Sequence, residues 1–360
     1  MNHELRIKEH ESRNYDNSLF LIHDSKIVLT GGGTAGSVTP LLAVAEHLPK
    51  QQLFFFGSRR GIERQLIPPI IRYQPILAGK FRRYWSWRHL SDPIIILAAF
   101  WQSLYLLLKL RPQVVVSAGS FVSVPVVWAA WCCGIPTIVH QPDVTVGLAV
   151  RLMAPFASRL TKALVDTHLR GADWIGNPVR NLTPTTQQLI IDASYPTVFI
   201  FGGSTGAQGL NTLVTTAICA EANVIHVTGK NKLPKTISPH PRYQQFELLA
   251  EPMKEALHQA DVIVCRAGIG TLAELGALAK AAIIIPLPHS HQEKNAALLI
   301  KHQAAIVLDQ TKLTPEQLTR LIQDVLHDAS RRSQLGQAIQ QLFPPAAANT
   351  LADYIVQLTQ

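Results

Sequence analysis

The strongest constraint on this chain is the alternation, along almost its whole length, of short apolar β-branched runs with helical stretches. KIVLT (26–30) leads through GGGTAGSVTP (31–40) into LLAVAEHL (41–48), and LFFFG (53–57) precedes a second helical start, GIERQLI (61–67). VVVSAG (114–119), VSVPVVWAAWCCG (122–134) and PTIVHQ (136–141) repeat strand, helix, strand. After NPVR (177–180) the pattern restarts. TVFIFGG (197–203) is followed by a helix from about Ala207, then NVIHVTG (223–229), FELLA (246–250), ADVIVCRAG (260–268), a helix and AAIIIPL (281–287). Strands that are apolar throughout and separated by helices belong to parallel sheets covered on both faces. Two such series predict an α/β chain with two doubly wound, Rossmann-like parallel-sheet domains, and the Pro- and Asn-rich NPVRNLTP suits a linker at the seam. The expected division is a polar extension over 1–25, a first domain over 26–178 and a second over 179–340. The last stretch, 341–360, is expected to form a helix that packs back on the first domain.

A length of 360 residues allows two cores, and 47% apolar against 16% charged residues excludes disorder of the whole chain. The net charge of +9 points to an anionic partner. No Lys/Arg tract interleaved with base-stacking aromatics is present, which argues against nucleic acid. Cys132, Cys133, Cys219 and Cys265 form no CxxC pair and lie in apolar runs, as buried thiols of a reducing compartment would. Residues 1–25 lack the apolar core of a signal peptide. PIIILAAFWQSLYLLLKL (93–110) is the most membrane-like stretch, but Gln102 and Ser103 interrupt it and it is marginal for a span of about 20 residues. It reads as a buried or surface-seated helix.

In open parallel sheets ligands bind beyond the carboxyl ends of the strands. Two glycine-rich turns, GGGTAG (31–36) and GGSTGA (202–207), lie at such ends. Glycine lets the backbone approach a ligand, and the following helix start supplies N–H groups suited to phosphate. Taken alone, either turn could equally be a tight structural one. Neither matches GxxxxGK[ST] or the spaced GxGxxG fingerprint. Paired, they point to a cleft holding a donor and an acceptor. In RAGIGTLAE (266–274) a strand delivers Arg266, which can pair with a phosphate. Glu274 falls one turn into the next helix, either on ribose hydroxyls or as a solvated first-turn carboxylate. HSHQEKNA (289–296) brings Gln292 and Asn295 toward the same strand ends, and its HxH lacks a convincingly spaced third ligand, so no metal site is expected. GKFRRYWSWRHL (79–90) sets Arg82, Arg83 and Arg88 among Phe81, Tyr84, Trp85 and Trp87. Cations among interfacial aromatics suit an anionic bilayer surface, against the alternative of a loop with a buried tryptophan.

Together these segments resemble the MurG family of glycosyltransferases, in the family's order from Lys26 onward. GGGTAGSVTP is similar to the family's GGGTxGHxxP loop, and SAGSFVSVP and IPTIVHQPD to its GG[YF]VS and HE-containing segments. GNPVR, GGSTGA, CRAG…TLAE and HQEKNA match closely. The resemblance implies a GT-B fold, two Rossmann-like domains facing a cleft. It also implies inverting, metal-independent transfer of N-acetylglucosamine from UDP-N-acetylglucosamine to undecaprenyl-pyrophosphoryl-muramyl-peptide (lipid I), giving lipid II for peptidoglycan. No cofactor beyond the donor substrate is implied. The protein would sit peripherally on the cytoplasmic face of the bacterial cell membrane. By the same resemblance Arg180, Ser204, Ala250, Glu274 and Gln292 fall on donor-binding positions. Ile269, Gly270, Thr271, Leu272 and Ala273 lie on the donor loop, flanked by Arg266 and Asn295. Thr34, Ala35 and Gly36 match the N-terminal loop that meets the donor, and Asp143 a further contact that is often Asn.

Two positions depart from the family pattern. Ser37 stands where the family has His, and Gln141 where it usually has Glu. A hydroxyl and an amide are poor proton acceptors, so these catalytic positions leave Asp143, and beside it His140, as the nearest candidates for the general base. The resemblance therefore also allows a transferase with another acceptor, or a catalytically weak relative that binds UDP-sugar or lipid.

Overall fold

The computed structural model describes residues 25–48, 52–79, 92–184, 189, 191–203, 206–232, 239–250 and 252–359. The chain divides into two compact units, one taking residues up to Arg180 together with Ala346 onward, the other Asn181–Pro345.

The first unit begins with β1 (Ile27–Thr30), a 3-10 turn over Ala35–Ser37, α1 (Thr39–Ala45), β2 (Leu53–Ser58), α2 (Glu63–Leu66) and β3 (Arg72–Ile76). It continues through α3 (Asp92–Leu110), β4 (Val114–Ser117), α4 (Ser123–Cys132), β5 (Thr137–Gln141), α5 (Leu148–Met153), β6 (Arg159–Lys162) and β7 (Ala172–Trp174). All seven strands pair parallel in the order β3-β2-β1-β4-β5-β6-β7. Alternate residues of a strand face opposite sides of a sheet, so each apolar strand feeds two cores. Ile27, Leu29, Leu53, Phe55, Val114 and Val116 pack with Leu41 and Val44 of α1 on one side, and Leu351, Ala352 and Ile355 of the C-terminal helix (Ala347–Gln357) join them. Val28, Phe56 and Val115 pack on the other side with Leu107 of α3 and Val126 and Ala129 of α4.

The second unit runs β8 (Thr197–Phe201), α6 (Gln208–Asn211), a 3-10 turn over Thr216–Ala220, β9 (Asn223–Val227), β10 (Tyr243–Phe246), α7 (Pro252–Gln259) and β11 (Val262–Cys265). Then follow α8 (Ile269–Ala277), β12 (Ala282–Ile284), α9 (Gln292–Lys301), β13 (Ile306–Val307), α10 (Pro315–His327) and α11 (Ala329–Leu342). Its six strands are again all parallel, in the order β10-β9-β8-β11-β12-β13. Val198, Ile200, Val224 and Val264 form one face of its core with Leu318, Ile322 and Val325 of α10. In both sheets the strand order reverses beside the first strand, and this switch point is where an open α/β sheet offers a crevice at its carboxyl edge.

Two sequence expectations change. FELLA was expected to be a strand, but β10 lies over Tyr243–Phe246, and Leu248 is left exposed beyond its end. Of the four cysteines, Cys219 and Cys265 are buried, whereas Cys132 is exposed at the outer end of α4. An apolar run marks the helix there, not the side on which its last turn faces solvent. The stretch 93–110, expected as a buried or surface-seated helix, is a helix at the surface. Ala99, Ser103 and Leu107 face the core, while Ile94, Leu97, Trp101, Tyr105 and Leu108 are exposed. By length and composition alone, Pro93–Leu110 could cross a membrane, at mean hydropathy 1.7.

Candidate active site

The first crevice lies between the ends of β1 and β4. The chain leaves β1 as Gly31–Gly33, and every glycine N–H turns inward. Gly31 N donates to Phe56 O (3.4 Å), Gly32 N to Ser37 Oγ (3.3 Å) and Gly33 N to Glu63 Oε2 (3.0 Å). The Ser37 hydroxyl, 5% exposed, lies within donating distance of Gly32 O (3.0 Å) and Thr34 O (3.1 Å). From the β4 side Ser120 Oγ donates to Gly32 O (2.9 Å), and Ser123 Oγ to Thr30 O (2.9 Å). Protein oxygens thus already hold the N–H groups of all three glycines. What remains at the surface is the tip, with Gly33 and Thr34 exposed and Ala35 and Gly36 half-buried. Ser37 is a brace inside the loop, so its hydroxyl does not stand in for an imidazole aimed outward.

The end of β5 carries the other departure. Gln141, 2% exposed, donates through Nε2 to Asp143 O (2.9 Å) and Thr145 O (3.1 Å). A carboxylate could make neither bond, because it only accepts. The amide at this position therefore matches the course of the 142–145 loop, which Thr167 Oγ1 also holds through Asp143 O (3.2 Å). His140 is fully buried, its Nδ1 3.0 Å from Thr161 Oγ1 and its Nε2 3.4 Å from Asn177 Oδ1. Burial lowers it to about 4, against the opposing pull of the Asn177 bond. It is a neutral structural histidine that ties β5 to the NPVR segment, which removes it as a candidate base. Asp143 is half-buried beyond the strand end.

The second crevice lies between β8 and β11. Gly203 and Gly206 have positive φ, 87° and 67°, and a Cβ on Gly206 would run into Thr228 O. Lys232 Nζ donates to Gly206 O (3.2 Å), and Asn211 Nδ2 holds Thr228 O (3.0 Å) and Lys232 O (2.9 Å). Ser204 lies outside the described residues. At the end of β11, Arg266 is 6% exposed and its guanidinium is engaged by the protein. Nη1 donates to Ile285 O (2.9 Å) and Pro286 O (3.1 Å), and Nη2 to Gln310 Oε1 (2.5 Å). This strut spans β11, β12 and the loop after β13, and it leaves the buried Arg266 Nε without a hydrogen-bond partner among the described residues. Asn295, 3% exposed, likewise donates to Ala267 O (2.9 Å), and Gln292 Oε1 accepts from Leu287 N (3.0 Å). Leu272 and Ala273 bury their side chains in the core, and Leu272 N already bonds Gly268 O (2.9 Å). Gly270, Thr271 and Glu274 are half-buried at the start of α8, while Ala250 is exposed ahead of α7. The Glu274 charge, after burial itself, helps push the Cys265 thiol up. Arg180 is exposed at the end of the first unit.

The aromatic and basic cluster Phe81, Arg82, Arg83, Tyr84, Trp85, Trp87 and Arg88 lies outside the described residues. Among those described, no three His, Cys, Asp or Glu side chains converge. Sequence reasoning passed over Glu63, Ser120, Asn211 and Lys232. Only Glu63 left a signal, the glycines at 57 and 61 that make room for it.

Comparison with known proteins places both halves. Residues 27–161 match the glycosyltransferase family 28 N-terminal domain, and 197–351 its C-terminal domain. The UDP-N-acetylglucosamine–N-acetylmuramyl-(pentapeptide) pyrophosphoryl-undecaprenol N-acetylglucosamine transferase of Geobacillus kaustophilus is 34% identical over 327 residues, 85% of this chain and 92% of that protein. Its Clostridium kluyveri counterpart is 34% identical over 313 residues, 81% and 89% of the two chains. Among solved structures, Acinetobacter baumannii MurG superposes with TM-score 0.73 at 24% identity, covering 92% of this chain and 99% of that one. The glycotransferase of kitacinnamycin gives TM-score 0.70 at 15% identity, covering 93% and 98%.

Proposed function

This chain belongs to the MurG family of family 28 glycosyltransferases, and on that footing we propose that it moves N-acetylglucosamine from UDP-N-acetylglucosamine onto lipid I to give lipid II. The observation that carries the reading is 34% identity over 85% of the chain, and the two family 28 domains matched over 27–161 and 197–351 contain both crevices. In this reading a hydroxyl of the acceptor sugar attacks the anomeric carbon, the bond to the diphosphate breaks, and configuration inverts. The charge that grows on the leaving UDP is met by the turn after β8 and the start of α8, fixed dipoles that need no reorganisation. Asp143 accepts the proton. It is the carboxylate at the β5 end, and Ser37, Gln141 and His140 are each held in bonds that suit bracing better than proton transfer.

The lipid-linked acceptor places the protein on the inner face of the cell membrane. Supporting this is the outer face of α3, where Ile94, Leu97, Trp101, Tyr105 and Leu108 recur every three or four residues as one exposed apolar stripe. It follows directly on the basic, aromatic segment 79–90. A second reading, a relative that binds UDP-sugar with little turnover, draws on the same engagement of Ser37 and Gln141. One assay separates them: transfer from UDP-N-acetylglucosamine to a lipid I analogue in anionic vesicles. Robust wild-type turnover with an Asp143→Asn loss of ~10²-fold in kcat supports the first reading. UDP binding without transfer supports the second, and an unaffected Asp143→Asn variant removes Asp143 as the base.

A further inference from the structure

The glycine loop of the first unit is moulded around a side chain that the proposed chemistry leaves unused. Glu63 is 0% exposed. Its carboxylate accepts from Gly33 N (3.0 Å), Ser58 N (2.8 Å) and Ser58 Oγ (2.5 Å). Glycines make its recess: a Cβ on Gly32 or Gly61 would strike the carboxyl group, and one on Gly57 would strike the Tyr73 hydroxyl and crowd the Glu63 stem. Tyr73 locks the far wall. Its hydroxyl donates to Ser58 O (2.5 Å) while its ring stacks on Phe55 at 6.1 Å. We infer that Glu63 is a positioning residue for the transfer reaction: its carboxylate fills the anion recess of the glycine turn and so leaves only the tip, Thr34 to Gly36, to meet the donor.

Burial pushes Glu63 up, but the Ser58 hydroxyl and the N–H groups of Glu63, Gly33 and Ser58 outweigh it and hold the carboxyl below its ordinary value. The recess therefore carries a fixed negative charge at neutral pH. A diphosphate can neither displace this charge nor share the Gly33 N–H, so the loop cannot serve as a phosphate cradle at its base. Serine hydroxyls from opposite sides, Ser37 and Ser120, meet on Gly32 and hold the same shape. Such bracing restrains the loop tip, which matters when a displacement of about 1 Å can cost ~10²-fold in rate. The role rests on the proposed donor contact at residues 34–36.

The test is Glu63→Gln in the full-length protein. The amide keeps one accepting oxygen but turns its NH2 toward Gly33 N or Ser58 N, two donors facing each other. Transfer kcat should fall ~10–100-fold, with UDP affinity, set by the second unit, within ~3-fold of wild type. Amide exchange at Gly33 should quicken by ~10-fold or more. A purely structural Glu63 would lower the melting temperature and leave kcat of the folded enzyme alone. Turnover within ~2-fold of wild type at unchanged Gly33 protection overturns the inference, as does a loss shared equally by UDP binding. Should Glu63→Gln not fold, Ser58→Ala removes one donor to the same carboxylate, and a kcat unchanged within ~2-fold there also overturns it. Absence of transfer by the wild type would strike the proposed function instead, while Gly33 exchange still decides whether Glu63 sets the loop.

Discussion

The turns after β1 and β8 look alike in sequence, GGGTAG and GGSTGA, yet the charges that back them have opposite signs. Behind the first sits the buried Glu63 carboxylate, bonded to Gly33 N. Behind the second, Lys232 reaches Gly206 O, and Asn211 steadies the neighbouring carbonyls. One turn is already filled by an anion of the protein, and the other is backed by a cation and suits an anion from outside. Equal glycine content thus hides opposite backing charges, and under the proposed function they assign a pre-shaped lip to one unit and a phosphate seat to the other. It also explains why Ser37 is tolerated in the first turn. The hydroxyl satisfies Gly32 on both its N–H and its C=O, a local bonding job that a hydroxyl does well.

The largest effects should come from giving each turn a methyl group it has no room for. At Gly206 an added Cβ meets the backbone oxygen of Thr228 in a left-handed conformation. At Gly32 it meets the movable end of Glu63. Gly206→Ala and Gly32→Ala should each cost roughly 2–4 kcal/mol in urea unfolding. Only the first unit's penalty should be partly recoverable. Adding Glu63→Ala to Gly32→Ala should restore about 1 kcal/mol or more, whereas Lys232→Ala added to Gly206→Ala should restore almost nothing. Equal coupling in both pairs would mean that the two turns are backed alike.

Titration supplies the counterpart, a property in which the two units should agree. His140 on β5 and His226 on β9 are both fully buried with both ring nitrogens engaged, His226 by Tyr243 Oη (2.6 Å) and Asn211 Oδ1 (3.1 Å). Burial lowers each to about 4. The unfolded chain then binds more protons than the folded one between pH ~6.5 and ~4, so stability is complete above that window and falls as the solution is acidified through it. From pH ~7.5 to ~5 each histidine should cost its unit about 2 kcal/mol, and His140→Gln or His226→Gln should flatten that slope for its own unit. A slope untouched by either change would show that these rings take up protons without strain.

The parallel sheets were legible because their strands are buried on both faces, and a run such as VVVS or TVFIF has few other uses. The strands that the pattern did not disclose, β3, β6, β7 and β13, lie at or toward sheet edges, where RYQPI or RLTK carries polar residues and the apolar signal fades. Strand ends told where the crevices lie, since glycine turns follow β1 and β8. They could not tell which way a side chain points. Ser37, Arg266 and Asn295 sit at the right ends, but the Ser37 hydroxyl, both terminal nitrogens of Arg266 and the Asn295 amide nitrogen are bonded to protein oxygens. Spacing fixes a residue's neighbourhood, and only the packed backbone fixes its partner. Glu63 shows the same limit from the other side: in GIERQLI it reads as an ordinary first-turn acid, and its meaning comes from Gly32 and Gly33, thirty residues earlier in the chain.

The smallest effect tests the second turn directly. Lys232 is half-buried beside Gly206, so its charge is partly screened, and a cation within a few ångströms of a diphosphate contributes about 1 kcal/mol in such a setting. Lys232→Met keeps the stem and removes the charge. UDP affinity, followed by calorimetry, should weaken ~5-fold at low salt, and the gap between variant and wild type should narrow as ionic strength rises and the Debye length shortens. Glu63→Gln in the same measurement should leave UDP affinity within ~3-fold, because its charge backs the other turn. If Lys232→Met binds UDP as tightly as wild type while Glu63→Gln tightens it, the carboxylate of the first unit is the charge a diphosphate feels, and the assignment of lip and seat is reversed.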